Sequence, residues 1–202
     1  MNAVPHIVLM DDGLHWDPEQ CKQLKSGLYE SFCQSMSASG HDTYSGSMLK
    51  LLSDNLDHEV CISRAKVFCN GDGTAQSLAS GLIWAAKLKA DVVIIPLGLV
   101  EHDAGMKSAL EVLVKTGCLV FASVGTPYFG QRSALYPAVY EECVAVGCSH
   151  YIPVYEGWIE QPDLIVDEAM FAQGNFRSIK MGTSTATMLA VAEYLNSHSN
   201  NQ

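Results

Sequence analysis

Short apolar runs alternate along this chain with segments of helical periodicity. His6–Met10, Ala65–Phe68, Asp91–Pro96 and Leu119–Val124 are nearly unbroken apolar stretches. They are too short for buried helices and continuous enough for strands covered on both faces. Val144–Gly147 reads as a further short strand. Between them, Ser77–Leu88 sets Leu78, Leu82, Ile83 and Ala86 at helical spacing. Gly105–Thr116 repeats the pattern with Met106, Ala109, Leu110 and Leu113, and Gly117 follows as a stop signal in a C-cap position. Thr185–Leu195 is apolar at most positions, which predicts a buried helix. A helical pattern also follows His41, so His41 is expected at a helix N-terminus.

Strands alternating with helices predict a three-layer α/β/α domain around a mainly parallel sheet. Ligand sites in such sheets lie at the carboxyl ends of the strands. That rule points to Asp11-Asp12-Gly13, Leu97-Gly98 and Ser123–Thr126, each of which begins where an apolar run ends.

Composition narrows the picture. The 202 residues suit one domain with one sizeable core. Residues 1–195 are expected to form it, with a polar tail over 196–202 that frays. There is no internal repeat and no low-complexity linker. A formal net charge of −10 argues against a nucleic-acid partner, because phosphate binding needs clustered Lys and Arg. No apolar stretch reaches the roughly 20 residues that span a bilayer, and no basic segment precedes an apolar one at the N-terminus. The 7 Cys are odd in number, irregularly spaced and free of CxxC pairs. Buried unpaired thiols in a reducing compartment are expected, and with them a cytoplasmic location. His15, His58, His102 and His150 show no ligand spacing, and Asp17, Asp54 and Asp57 read as solvated surface acids, so neither a metal nor a cofactor is expected. Gly71-Asp72-Gly73 lacks the full pattern of a phosphate-binding loop.

Three residues are candidates for hydrolytic chemistry. Asp11 ends the first strand before a glycine turn; alone it reads rather as a plain turn acid. His41 opens a helical pattern; alone it reads as a loop histidine. Ser184 stands where the last helix begins, a position where serine is a common N-cap. Together they supply what acyl transfer by a serine needs: a hydroxyl, a base, and a carboxylate that orients the base.

The order Asp, His, Ser resembles that of the subtilisin-like serine proteases, and so do the surrounding segments. Val8-Leu9-Met10-Asp11-Asp12-Gly13 resembles the family's apolar strand followed by Asp-x-Gly. Gly40-His41-Asp42-Thr43-Tyr44-Ser45-Gly46 resembles Gly-His-Gly-Thr-His-x-x-Gly, with several changes. Met181-Gly182-Thr183-Ser184-Thr185-Ala186 resembles Gly-Thr-Ser-Met-Ala. Pro96-Leu97-Gly98 is similar to the family's Ser-Leu-Gly, and Tyr136-Pro137 through Gly147 to its Tyr-Pro and Val-x-Ala-Val-Gly run. The likeness extends over roughly residues 5–195. An alternative alignment, with Asp72-Gly73-Thr74 as a His segment that has lost its His, leaves no room for the strand Ala65–Phe68.

The resemblance implies a subtilisin-like fold and a triad of Asp11, His41 and Ser184. It implies a peptide substrate lying extended beside Leu97, Gly98, Ser123, Val124 and Gly125. Thr126 stands where the family has its oxyanion Asn, so Thr126 and the Ser184 N–H are the implied oxyanion donors. Met188 replaces a family Pro, and Asp167-Glu168-Ala169 replaces Ala-Pro-Gly. The family's pro-segment and high-affinity calcium loop are expected to be absent. The implied activity is endopeptidase cleavage, with processing of a leader or precursor peptide as one form of it. The Thr126 replacement leaves a second reading: a catalytically weak or inactive member that binds peptides.

Overall fold

The computed structural model describes residues 4–12, 17–33, 41–69, 72–127, 132–167 and 182–199, with backbone alone for 41–45, 69 and 72. In chain order the strands are β1 (His6–Asp11), β2 (Leu24–Ser31), β3 (Val60–Lys66), β4 (Phe68–Cys69), β5 (Asp72–Gly73), β6 (Val92–Ile95), β7 (Leu119–Ser123), β8 (Cys143–Cys148) and β9 (Leu164–Val166). The helices are α1 (His41–Asp54), α2 (Ala75–Leu88), α3 (Ala104–Val114), α4 (Ile152–Tyr155) and α5 (Thr183–Ser199). Seven strands form one sheet in the order β2-β3-β1-β6-β7-β8-β9, with every pairing parallel.

The two-residue alternation of strand side chains divides the core into two layers. Ile7 and Leu9 of β1, Val92 and Ile94 of β6, Phe121 of β7 and Val146 of β8 face α1 and α5. Val8 and Met10, Val93 and Ile95, Val120 and Ala122, and Ala145 face α2 and α3. β1, β6, β7 and β8 are therefore mostly apolar on both faces, as expected of parallel strands covered on both sides.

Local sequence sets the helix ends. Thr74 caps α2 in a reciprocal box with Ser77: the Ser77 N–H donates to Thr74 Oγ1 at 3.0 Å. The Asp72–Thr74 segment thus pairs with β4 through β5 and starts α2. Asp103 caps α3 by accepting from the Met106 N–H at 2.7 Å. Gly117, two residues past the C-cap Lys115, has φ +90°, where a Cβ would be strained.

The structure adds elements that the apolar pattern does not signal. β2 is a largely exposed, polar edge strand, and β9 is the short strand at the other edge. β3 begins at Val60, five residues ahead of the apolar run. The helix α5 continues through Asn196 to Ser199, into the segment expected to be a polar tail. Asn196 accounts for this by clasping the loop after α1: it accepts from the Asp57 N–H at 3.0 Å and donates to the Asn55 carbonyl at 2.8 Å.

The expectation of seven unpaired thiols is also corrected, because Cys33 is disulfide-bonded. Cys21, Cys61, Cys118, Cys143 and Cys148 are free. Burial raises the Cys118 thiol to about 12 and the Cys21 thiol to about 11. The argument from free thiols to a reducing compartment loses its premise. Among the described residues, no helix is long and apolar enough to cross a membrane.

Candidate active site

From β1 the chain leaves toward β2, and from β6 it leaves the opposite way toward β7, although β1 and β6 are neighbours. Connections that diverge in this way open a crevice at the carboxyl ends of the two strands. Asp11 ends β1 there and is buried. By the alternation that sends Ile7 and Leu9 toward α1 and α5, its side chain faces the same layer.

Ser184 reaches this crevice from the first turn of α5. Its hydroxyl donates to the Pro96 carbonyl at 2.6 Å. Pro96 directly follows β6. β1 pairs with β6 in parallel, with Leu9 opposite Ile94, so Asp11 and Pro96 each lie two residues beyond the last pair. Ser184 is thus bonded to the residue that follows β6, and Asp11 ends the neighbouring strand β1. His41 is the first residue of α1, the helix packed against α5 in the same layer; its side chain lies outside the described residues.

Hydroxyl groups fasten the start of α5 to the end of β7. Ser123 Oγ donates to Thr183 Oγ1 at 2.7 Å and accepts from the Gly125 N–H at 3.2 Å. Thr185 Oγ1 donates to the Gly182 carbonyl at 2.8 Å, and the Gly182 N–H lies 3.0 Å from the same hydroxyl. These bonds satisfy buried polar groups that would otherwise be costly. They also hold Ser184 at the positive end of a 17-residue helix.

The remaining predicted residues flank the crevice. Leu97 and Gly98 continue from β6 and are half-buried; Ser123 ends β7, Val124 and Gly125 follow it, and all three are buried; Thr126 is exposed. A bridging segment joins the two sides. The Leu135 N–H donates to the Val124 carbonyl at 3.0 Å, and Tyr136 exchanges backbone bonds with Leu99 at 2.8 and 2.7 Å. The Tyr136–Pro137 peptide bond is cis.

Sequence reasoning missed Lys66. It closes β3 opposite Asp11, is 2% exposed, and places its ammonium 3.1 Å from Asp12, which is fully buried. The signal was available: a lysine inside the apolar run Ala65–Phe68 needs a buried partner. Thr183 was also missed, since a threonine beside a candidate nucleophile looks like a simple cap residue.

No family model matches the chain. It is 30% identical over 124 residues to a thermophilic serine proteinase from Bacillus sp. (strain AK1), a stretch covering 58% of this chain and 30% of that protein. The crystal structure of a cold adapted subtilisin-like serine proteinase superposes with a TM-score of 0.67 at 22% identity, over 95% of this chain and 75% of the other. The chain is related to the subtilisin-like serine proteases. It spans less than a third of the length of the Bacillus relative. The nisin leader peptidase from Lactococcus lactis shares the fold of this subtilisin-like chain, with a TM-score of 0.65 at 13% identity over 96% of this chain and 78% of that one.

Proposed function

We propose that the protein is a serine endopeptidase with Ser184 as nucleophile, His41 as general base and Asp11 as the carboxylate that orients His41. The observation that supports this reading is the Ser184 hydroxyl bonded at the carboxyl end of β6, beside the strand β1 that Asp11 ends, where β1 and β6 diverge. In the reaction, the Ser184 hydroxyl leaves the Pro96 carbonyl, and its proton passes to His41 as Oγ attacks the scissile carbonyl carbon. The resulting oxyanion is held by the Ser184 N–H and the Thr126 hydroxyl. His41 returns the proton to the departing amine, and water then releases the acyl group by the same steps in reverse. The substrate lies as an added strand along Leu97-Gly98 and Ser123-Val124-Gly125.

The likeness to a leader peptidase supports processing of a leader or precursor peptide as the form of this activity. One observation favours the second reading, a peptide-binding protein without turnover: the Ser184 hydroxyl is engaged by a carbonyl, which cannot accept its proton as a base does. Incubation with a mixed peptide library, read by mass spectrometry, separates the two. The endopeptidase reading expects cleavage that is lost in Ser184→Ala and reduced by at least about a hundredfold in Asp11→Asn. Cleavage that persists in Ser184→Ala contradicts it.

A further inference from the structure

One side chain, Leu135, lies between the segments that follow β6 and β7. A Cβ built on Gly98 falls 2.5 Å from Leu135 Cβ, and one built on Gly125 falls 2.5 Å from Leu135 Cδ1. The segments that continue from β6 and β7 thus both turn a bare backbone face toward one leucine. Gly125 also has φ +85°, which favours glycine independently.

Leu135 is fixed in this position. Its N–H is bonded to Val124 on one side, and its neighbour Tyr136 is paired with Leu99 on the other. Ala134 before it and Pro137 two residues after it are buried, while Leu135 itself is half-buried. The crevice adjoins the nucleophile on both sides. Pro96, which holds the Ser184 hydroxyl, lies two residues before Gly98. Ser123, which binds both the Gly125 N–H and Thr183, ties the other side to the residue preceding Ser184.

We infer that Leu135 determines specificity by filling the space for the substrate side chain on the acyl side of the scissile bond, restricting that residue to glycine or alanine. This rests on the reading of Ser184 as nucleophile. A peptide extended between Leu97-Gly98 and Val124-Gly125 sends alternate side chains to opposite sides. The side chain that enters the crevice next to the attacked carbonyl meets Leu135. A pocket discriminates a single methylene by about tenfold or more, and a large side chain also displaces the backbone from attack geometry.

The test uses peptidyl diphenyl phosphonates that differ only in the acyl-side residue, Ala or Phe. Ser184 Oγ attacks phosphorus, displaces one phenoxide and loses its proton to the base, leaving a stable adduct counted by intact mass. Wild type should react with the Ala compound at least about tenfold faster than with the Phe compound. Leu135→Gly should raise the Phe rate by at least about tenfold with a much smaller change for Ala, and Leu135→Ala should lie between. If Leu135→Gly fails to fold, by circular dichroism, Leu135→Ala carries the comparison. Equal Ala and Phe rates in wild type, or a Phe rate unmoved in the folded variants, overturn the inference. A small alkyl fluorophosphonate with no peptide portion is the control. If it labels Ser184 while the ratio stays flat, only the role of Leu135 fails. If it does not label wild type, the nucleophile reading fails and takes this inference with it.

Discussion

The two helical layers of this domain are built on different terms. On the α2–α3 side, Leu78, Leu82 and Ala85 meet Met106, Leu110 and Leu113, and side-chain caps on Thr74 and Asp103 hold the helix starts. On the α1–α5 side, α5 buries Thr183, Thr185 and Thr187 among Met188, Leu189 and Val191, and the first two of these hydroxyls lie around Ser184. One layer is a foundation of apolar packing. The other places polar groups in the core and satisfies them one by one, which positions a hydroxyl at the cost of simpler packing. Stability and chemistry should therefore respond differently to mutations on the two sides.

The largest expected effect on stability lies where the site meets the sheet. Lys66→Met removes the buried ammonium that lies 3.1 Å from the fully buried Asp12. Breaking a buried pair in this way costs about 3–5 kcal/mol. Urea unfolding should show a midpoint lowered accordingly; an unchanged midpoint would mean that Asp12 is satisfied without Lys66.

The foundation layer is next. Leu110→Ala should destabilise by about 2–5 kcal/mol through the cavity it leaves, while the folded protein keeps full Ser184 reactivity. Thr183→Val gives the contrasting case. It removes the hydroxyl that accepts from Ser123 and should cost only about 1–3 kcal/mol, yet slow Ser184 labelling. Equal loss of reactivity per unit of lost stability in the two variants would erase the distinction between the layers.

The smallest effect in energy falls on Thr126. Thr126→Ala should lower turnover by more than about tenfold with little change in folding, and Thr126→Asn should retain or raise it. An oxyanion donor acts in the transition state, so kcat should fall more than KM. Full activity in Thr126→Ala would assign the oxyanion to the Ser184 N–H and another group.

Much of the fold was legible because β1, β6, β7 and β8 are buried on both faces, and such strands are written as apolar runs. β2 was not legible, because an edge strand with Lys25, Ser26 and Glu30 exposed has the composition of a loop. Such polarity also protects the sheet edge from pairing with other chains. At the site, the positions of Asp11 and Ser184 followed from strand end and helix start. Leu135 did not: nothing local distinguishes it, and its place is set by Gly98 and Gly125, which belong to two other segments. The bond at Cys33 was missed because cysteine spacing alone does not report which thiols meet.

An activated Ser184 is recognised by its reaction with a fluorophosphonate, followed by intact mass. Wild type should carry a single adduct on Ser184, Ser184→Ala none at that position, and His41→Ala should label at least about a hundredfold more slowly, the loss expected when a general base is removed. An unmodified wild-type protein, or labelling of His41→Ala at the wild-type rate, would contradict an activated Ser184.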